Sequence, residues 1–223
     1  SLLLDRVEKT EPDNPTVLLL KSSVLLDNGE NNAAQKYLDR LLEMKPEMAY
    51  NNLGLIAWNS NLREKALSFF TSRLSNEPSD FSATRNKCWI LYELKKYDDA
   101  ISTVKDFIDH FGDVQYQMKR ELPILYLSIA RDFNSEVDRE FNHKYTRLGK
   151  TILEKSDERW NDPKFKNTRR QTEFLKKSRE SFKIIDKENI HNQRTKYWKA
   201  VMYCTIGDIN FAMKAIDECL LED

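Results

Sequence analysis

A pattern of small and large apolar residues at fixed spacing recurs along this chain and restricts its fold more than any other feature. The clearest copy reads Tyr50-x2-Leu53-Gly54-x2-Ala57, then Ala66-x3-Phe70, then Pro78. The small residue at Ala66 recurs 32 residues earlier at Ala34 and 34 residues later at Ala100, and again at Ala212. A period of this length predicts stacked repeats, because each unit is too small to bury its apolar face alone.

This order and spacing resemble the tetratricopeptide repeat, a helix–turn–helix unit of about 34 residues. The resemblance implies that Gly54 and Ala66 are small because the two helices of the unit, A and B, cross there. An earlier copy has Gly29 five residues before its alanine, and Gly207 stands at the same distance before Ala212. Glycine suits these turns because it accepts the left-handed conformation that ends a helix.

The predicted fold is all-α, a right-handed α-solenoid of antiparallel helix pairs with irregular elongated helices in the C-terminal half. Only 5 Gly and 6 Pro occur in 223 residues, which favours helices over a β-sandwich. The predicted division is a tetratricopeptide-like region at 1–113, irregular long helices at 114–190 and a C-terminal repeat at 191–223. The first region divides into a partial repeat 1–13 and repeats 14–46, 47–79 and 80–113. Because the chain opens inside a helix B, we expect it to be part of a longer array.

Between the clear repeats the pattern fails, although the sequence stays helical. We expect one helix from Tyr116 to Asn134, with Pro123 costing about 3 kcal/mol unless it starts or kinks that helix. A stripe follows at helical spacing, formed by Val137, Phe141, Tyr145, Leu148 and Ile152. Asp162-Pro163 then predicts the start of another helix, which continues through Ile185. Trp160 lies before that start, in a predicted loop, as a cap or a contact point.

Charge and cysteine content limit the class of protein. The chain has 36 basic and 36 acidic residues, so net charge gives no argument for nucleic acid or an anionic membrane. Cys88, Cys204 and Cys219 fall on predicted helix interiors, which predicts buried thiols in a reducing compartment, the cytoplasm or alternatively the nucleus. No apolar run approaches the roughly 20 residues of a membrane helix, so we predict no membrane insertion.

Motifs for catalysis are missing from the sequence. His110, His143 and His191 lie far apart, and neither a metal-ligand spacing nor a phosphate-binding glycine motif occurs. We therefore predict that the protein is not an enzyme and has no metal, cofactor or small-molecule substrate.

The resemblance implies that the A helices line a peptide-binding groove. The predicted groove residues are Asn51, Asn52, Leu55, Trp58, Asn59, Arg85, Asn86, Trp89 and Tyr92. Asn52 and Asn86 are equivalent in consecutive repeats, which resembles the asparagine ladder that grips peptide backbone in the superhelix of O-GlcNAc transferase. A carboxamide suits that role because it both donates and accepts hydrogen bonds. The alternative is that both amides are solvated or satisfied locally and that Trp89 is core.

A second ligand mode of the family, the carboxylate clamp for chaperone C-terminal tails, requires Lys, Asn and Arg at defined places. Those places hold Leu19 and Ser23, then Asn52, then Ser82 and Asn86, so only Asn52 matches. Without cations a terminal carboxylate has no charge-assisted partner, and we predict no chaperone-tail binding.

A basic stretch runs from Lys164 to Lys199, with twelve positive and four negative residues. The predicted basic patch in it consists of Lys166, Arg169, Arg170, Lys176, Lys177 and Arg179. An acidic protein, a nucleic-acid backbone, an anionic membrane or solvent alone would suit such a face. The predicted function is a scaffold that binds a peptide segment or helix of a partner protein within a larger assembly. The alternative is a regulatory or nucleic-acid-associated module that uses the basic helix 164–199.

Overall fold

The computed structural model describes residues 2–112, 116–133 and 166–220, and the regular structure in these ranges is entirely helical. The chain divides into two compact units, Ser1–Thr103 and Val104–Asp223. The predicted division into repeats and irregular helices stays a prediction. The stripe from Val137 to Ile152, Trp160 and Asp162-Pro163 lie outside the described residues.

The first unit consists of consecutive helices that pair as A and B. They are α1 (Leu2–Thr10), α2 (Pro15–Asp27), α3 (Asn31–Met44), α4 (Pro46–Asn59), α5 (Arg63–Asn76), α6 (Phe81–Glu93) and α7 (Tyr97–Phe111), the last of which crosses into the second unit. One core cluster joins α2, α3 and α4 through Leu18, Leu38, Leu41, Ala49 and Leu53. The next joins α4, α5 and α6 through Ala57, Ala66, Phe70 and Ile90.

The A helices that precede the recurring alanine all end in the same turn conformation. That alanine lies in the first turn of the following B helix. The residue five positions before that alanine is left-handed each time: Gly29 at φ 78°, Asn61 at 62°, Lys95 at 62° and Gly207 at 82°. In each turn the following N–H donates to the carbonyl five residues earlier, over 2.7–3.0 Å, which is the helix-ending bond expected there. The predicted turns at Gly29 and Gly207 are confirmed.

The crossing of α4 and α5 is close at Gly54. A Cβ atom on Gly54 would lie 2.5 Å from the Phe70 ring, and that ring is fully buried. No side chain fits there without movement of the ring or of a helix, so the predicted reason for the small residue is confirmed.

The position of α6 is set by its N-terminal cap. Asp80 accepts the Ala83 N–H at 2.9 Å through one carboxylate oxygen and pairs with Arg73 of α5 at 2.7 Å through the other. Arg73 also donates to the Glu47 carbonyl at 3.0 Å, at the start of α4. One guanidinium therefore fixes the ends of three successive helices.

The second unit contains a 3-10 helix (Tyr116–Arg120), α8 (Glu121–Asp132), α9 (Lys166–Glu188), α10 (Gln193–Ile206) and α11 (Ile209–Leu220). The expected single helix from Tyr116 to Asn134 is wrong, because the 3-10 segment ends before α8 begins. Pro123 lies in the first turn of α8, where its missing N–H costs nothing. Its carbonyl accepts the buried Ser178 hydroxyl of α9 at 2.8 Å.

Three consecutive residues hold the junction between α9 and α10. Lys119 pairs with Glu188 at 2.8 Å, Arg120 donates to the Ile190 carbonyl at 2.6 Å, and the buried Glu121 carboxylate pairs with Arg194. Since Arg194 lies in the first turn of α10 and Glu121 begins α8, the two helices start side by side.

Exposure corrects one further expectation. Cys88 is buried as predicted, whereas Cys204 is exposed and Cys219 is partly exposed. Within the described ranges, no helix combines the length and apolar character needed to cross a membrane.

Candidate functional site

Asn52, the first member of the predicted asparagine pair, is directed into the protein. It is buried on α4, and its amide donates to the Ser22 hydroxyl at 2.8 Å and to the Ser23 hydroxyl at 3.0 Å, both on α2. Both amide protons therefore contact the preceding A helix. Ser22 and Ser23 in turn donate to the Leu19 carbonyl, so this network joins neighbouring repeats.

The second member, Asn86 of α6, is half-buried and donates to the side-chain oxygen of Asn51 at 3.2 Å. Near the other end of the same two helices, the Trp58 indole donates to Glu93 at 3.1 Å. Arg63 donates to the second oxygen of Glu93 at 2.7 Å. Because residues 51 and 58 of α4 meet residues 86 and 93 of α6, the two A helices run parallel.

An aromatic cluster, formed by Trp89, Tyr92 and Tyr97, lies at the end of α6 and the start of α7. Trp89 and Tyr92 meet edge to face with ring centroids 5.6 Å apart, and Tyr92 and Tyr97 are 5.9 Å apart. The Lys95 ammonium lies 5.5 Å from the Tyr92 ring centroid and 5.8 Å from that of Tyr97. All three rings are partly exposed.

We call the exposed part of this region the α4–α6 surface: Asn51, Leu55, Trp58, Asn59, Arg85, Asn86, Trp89 and Tyr92, each at least partly exposed. Asn59 is exposed, and its amide donates to the Asn31 side-chain oxygen at 3.5 Å. Of the predicted groove residues only Asn52 is buried. Sequence reasoning did not assign Glu93 or Tyr97 to the groove. Tyr97 stands at a repeat position at the start of helix B, whereas the repeat pattern carried no signal for Glu93.

The basic patch lies on α9 and is partly neutralised by its own helix. Lys177 pairs with Glu173 at 2.6 Å and also lies over the Phe174 ring, 5.2 Å from its centroid. Arg170 stacks on the Phe133 ring at 5.2 Å. Arg170, Lys176 and Lys177 are exposed and Arg169 and Arg179 are partly exposed, whereas the Lys166 side chain is outside the described residues.

A charged cluster lies in the second unit around Asp186. Its carboxylate oxygen lies 3.1 Å from His191 Nε2 and 2.8 Å from the Lys199 ammonium. Burial lowers the pKa of His191, and the Asp186 carboxylate opposes this only in part. Among the described residues, no three His, Cys, Asp or Glu side chains lie together in a way that would hold a metal ion.

The fold and surfaces define a protein of stacked helix hairpins. Residues 15–48 match the model of the tetratricopeptide repeat family, so the chain carries such a repeat and the predicted resemblance is confirmed. No curated protein matches the sequence.

Similar solved structures include PilW, described as a widely conserved type IV pilus biogenesis factor. It has a TM-score of 0.62 and 14% identity over 98% of this chain and 82% of that chain, a likeness of fold that confirms the predicted all-α class. PilF of Pseudomonas aeruginosa has a TM-score of 0.46 and 15% sequence identity, over 90% of this chain and 88% of that chain. A tetratricopeptide repeat protein of Parabacteroides merdae ATCC 43184 has a TM-score of 0.44 and 19% sequence identity, over 94% of this chain and 80% of that chain.

Proposed function

We propose that this protein is an interaction scaffold that binds a segment of a partner protein on the α4–α6 surface, within a multi-protein assembly. Stacked helical repeats commonly present an extended surface for a partner, since each repeat contributes one helix to it. The observation that carries the proposal is the aromatic cluster: Trp89, Tyr92 and Tyr97 are packed against one another and yet partly exposed.

Trp89 and Tyr92 supply the apolar part of the α4–α6 surface, and Tyr97 of α7 packs against Tyr92 beside it. Tryptophan and tyrosine are enriched among the few residues that dominate interface energies, because they bury a large area with little loss of side-chain freedom. The contacts between the rings hold them in place before a partner arrives, which lowers the ordering entropy of binding.

Polar recognition on the same surface would come from Asn51 and Asn86. Each carboxamide has two donors and an acceptor, and their mutual bond uses one donor and one acceptor. The remaining capacity suits the backbone of an extended peptide. Asn52 does not take part, because both of its amide protons are used within the protein.

Affinity capture followed by mass spectrometry tests the proposal, with the full chain as bait. The test variant is Trp89→Ala/Tyr92→Ala, and the matched aromatic control is Tyr116→Ala, a tyrosine 42% exposed in the second unit. A third bait, Arg170→Glu/Lys176→Glu/Lys177→Glu, removes the exposed cations of α9. Circular dichroism and the unfolding midpoint establish that each bait is folded.

We expect the double variant alone to lose a partner by about tenfold or more, as for the loss of a hot spot. The interaction with that partner should depend weakly on salt. A partner retained by the double variant and lost from the α9 variant would overturn the proposal and place function on the basic helix. In that case affinity should also fall steeply with salt, because phosphate contacts release counterions.

A further inference from the structure

An apolar groove that has no role so far lies between α10 and α11 in the second unit. It has a volume of about 570 Å³ and is lined by Arg131, Tyr197, Ala200, Val201, Cys204, Thr205, Ile216, Cys219 and Leu220. This α10–α11 groove is open to solvent: Tyr197 is 59% exposed and Leu220 67%. Apolar side chains so exposed are typical of an interaction site.

The repeat register identifies what these positions contact elsewhere in the molecule. The two hairpins can be aligned because their turns have the same geometry, with Gly207 and Ala212 matching Asn61 and Ala66. Tyr197, Val201, Cys204 and Thr205 of α10 then correspond to Asn51, Leu55, Trp58 and Asn59 of α4, and Ile216 of α11 corresponds to Phe70 of α5.

In the first unit that set of positions holds a helix. Asn51 bonds to Asn86 of α6, Trp58 bonds to Glu93 of α6, and Phe70 shares a core cluster with Ile90 of α6. A single helix parallel to the A helix therefore lies in the cleft of the α4–α5 hairpin. The same hairpin construction makes the same cleft between α10 and α11.

We infer that the α10–α11 groove binds one amphipathic helix of a partner protein, parallel to α10, with an acidic residue in its last turn. This second interaction surface is independent of the α4–α6 surface. The lining determines the first requirement: Val201, Ile216 and Leu220 need an apolar stripe at i, i+3, i+4 and i+7 spacing on the partner.

Charge determines the second requirement. The helix α6 ends with Glu93, which accepts bonds from Trp58 and Arg63. In the second unit the places of Trp58 and Arg63 hold Cys204 and Ile209, and the cation in the groove lining is instead Arg131, at the end of α8. Since α8 and α10 start side by side at Glu121 and Arg194, Arg131 lies toward the end of α10. A parallel helix would therefore place its C-terminal carbonyls and a last-turn carboxylate near this guanidinium.

The probe for a test is a synthetic amphipathic peptide of about 16 residues, long enough to be helical, with one leucine stripe and a glutamate in the last turn. A second peptide of identical composition has its leucines distributed around the helix. Binding to the full chain is measured by fluorescence anisotropy. Leu220→Glu and Tyr197→Glu change exposed groove residues, and Met213→Glu is the control, since Met213 is 56% exposed on α11 but outside the groove lining.

We expect the striped peptide to bind the unchanged chain and the Met213→Glu chain equally, and the two groove variants about tenfold or more weakly. Arg131→Glu should weaken binding up to about fivefold, as for an exposed ion pair, and a peptide with lysine in place of the glutamate should restore it. Equal binding of both peptides, or equal binding to all variants, would overturn the inference.

Sedimentation without peptide distinguishes a second copy as the occupant. A monomer across micromolar concentrations agrees with a partner helix. A dimer that Leu220→Glu dissociates and Met213→Glu leaves intact would overturn the inference in favour of self-association.

Discussion

The hairpins α4–α5 and α10–α11 share one construction and differ in what lies on their outer faces. Both turn through a left-handed residue five positions before an alanine, with the same hydrogen bonds. At equivalent positions, however, the first hairpin has Trp58 bonded to Glu93 and the second has the exposed Cys204. The turn and the crossing residues thus fix the hairpin, whereas the outer residues determine what it contacts.

The largest effect we predict is on stability at the crossing of α4 and α5, in contrast to the crossing of α10 and α11. Gly54→Ala should lower the free energy of unfolding by about 1–3 kcal/mol, because the new Cβ would lie 2.5 Å from the buried Phe70 ring. At the equivalent place α10 already has Ala200, and the smaller Ile216 stands at the place that corresponds to Phe70. The measurement is urea unfolding at equilibrium. Helix propensity alone predicts that alanine stabilises, so a stabilised Gly54→Ala would show that the crossing is not tight.

The second prediction concerns the network that joins α2 to α4. Asn52→Ala should lower the free energy of unfolding by about 1–2 kcal/mol, since the buried Ser22 hydroxyl and the partly buried Ser23 hydroxyl lose their donor. The exposed Asn59 is the matched control, and Asn59→Ala should change stability by less than about 0.5 kcal/mol. Similar values for both variants would mean that the buried network adds nothing.

Particular residues show how far sequence reasoning reached. Gly29, Gly54 and Gly207 were interpretable because a left-handed turn or a close helix crossing favours glycine for reasons of local backbone or space. The direction of the Asn52 side chain could not be predicted. An asparagine suits a solvated surface as well as it suits a hydrogen bond to a serine on the preceding helix. The choice depends on Ser22 and Ser23, about 30 positions earlier in the chain.

The same limit applies to Pro123 and Glu93. Proline restricts its own turn, so a helix start near Pro123 was foreseeable, yet the 3-10 segment before it depends on the bonds from Lys119 and Arg120 to the α9–α10 junction. Glu93 is an ordinary charged residue in sequence. Its contacts with Trp58 and Arg63 arise only when successive A helices lie side by side.

The third prediction concerns the turns that the two hairpin types share. Lys95 is left-handed at φ 62° where Gly207 occupies the equivalent turn. Lys95→Gly should relieve about 1 kcal/mol of backbone strain and lose about 0.5 kcal/mol of contact with the Tyr92 and Tyr97 rings, a net gain of a few tenths. Gly207→Ala should introduce backbone strain at the equivalent turn and lower the free energy of unfolding by about 1 kcal/mol. Thermal unfolding of both variants measures the pair, and a destabilised Lys95→Gly would mean that the ring contacts outweigh the strain.

The last and smallest effect we predict is a difference between α10 and α4 in how local stability depends on pH. Burial lowers the pKa of His191 below its ordinary value of about 6.5 in the folded chain, against the pull of Asp186 and together with Lys199 and Lys196. Between the folded and unfolded values the unfolded chain binds more protons, so protonation favours unfolding. This contribution is complete above about pH 6.5 and is lost as the pH falls below it. The hydrogen-exchange protection factors of α10 should therefore fall on acidification by more than those of α4, and His191→Gln should remove that difference. The exposed His110, changed to Gln, is the matched control. If acid lowers the protection of α10 equally in the His191→Gln chain, His191 is not the source of the sensitivity.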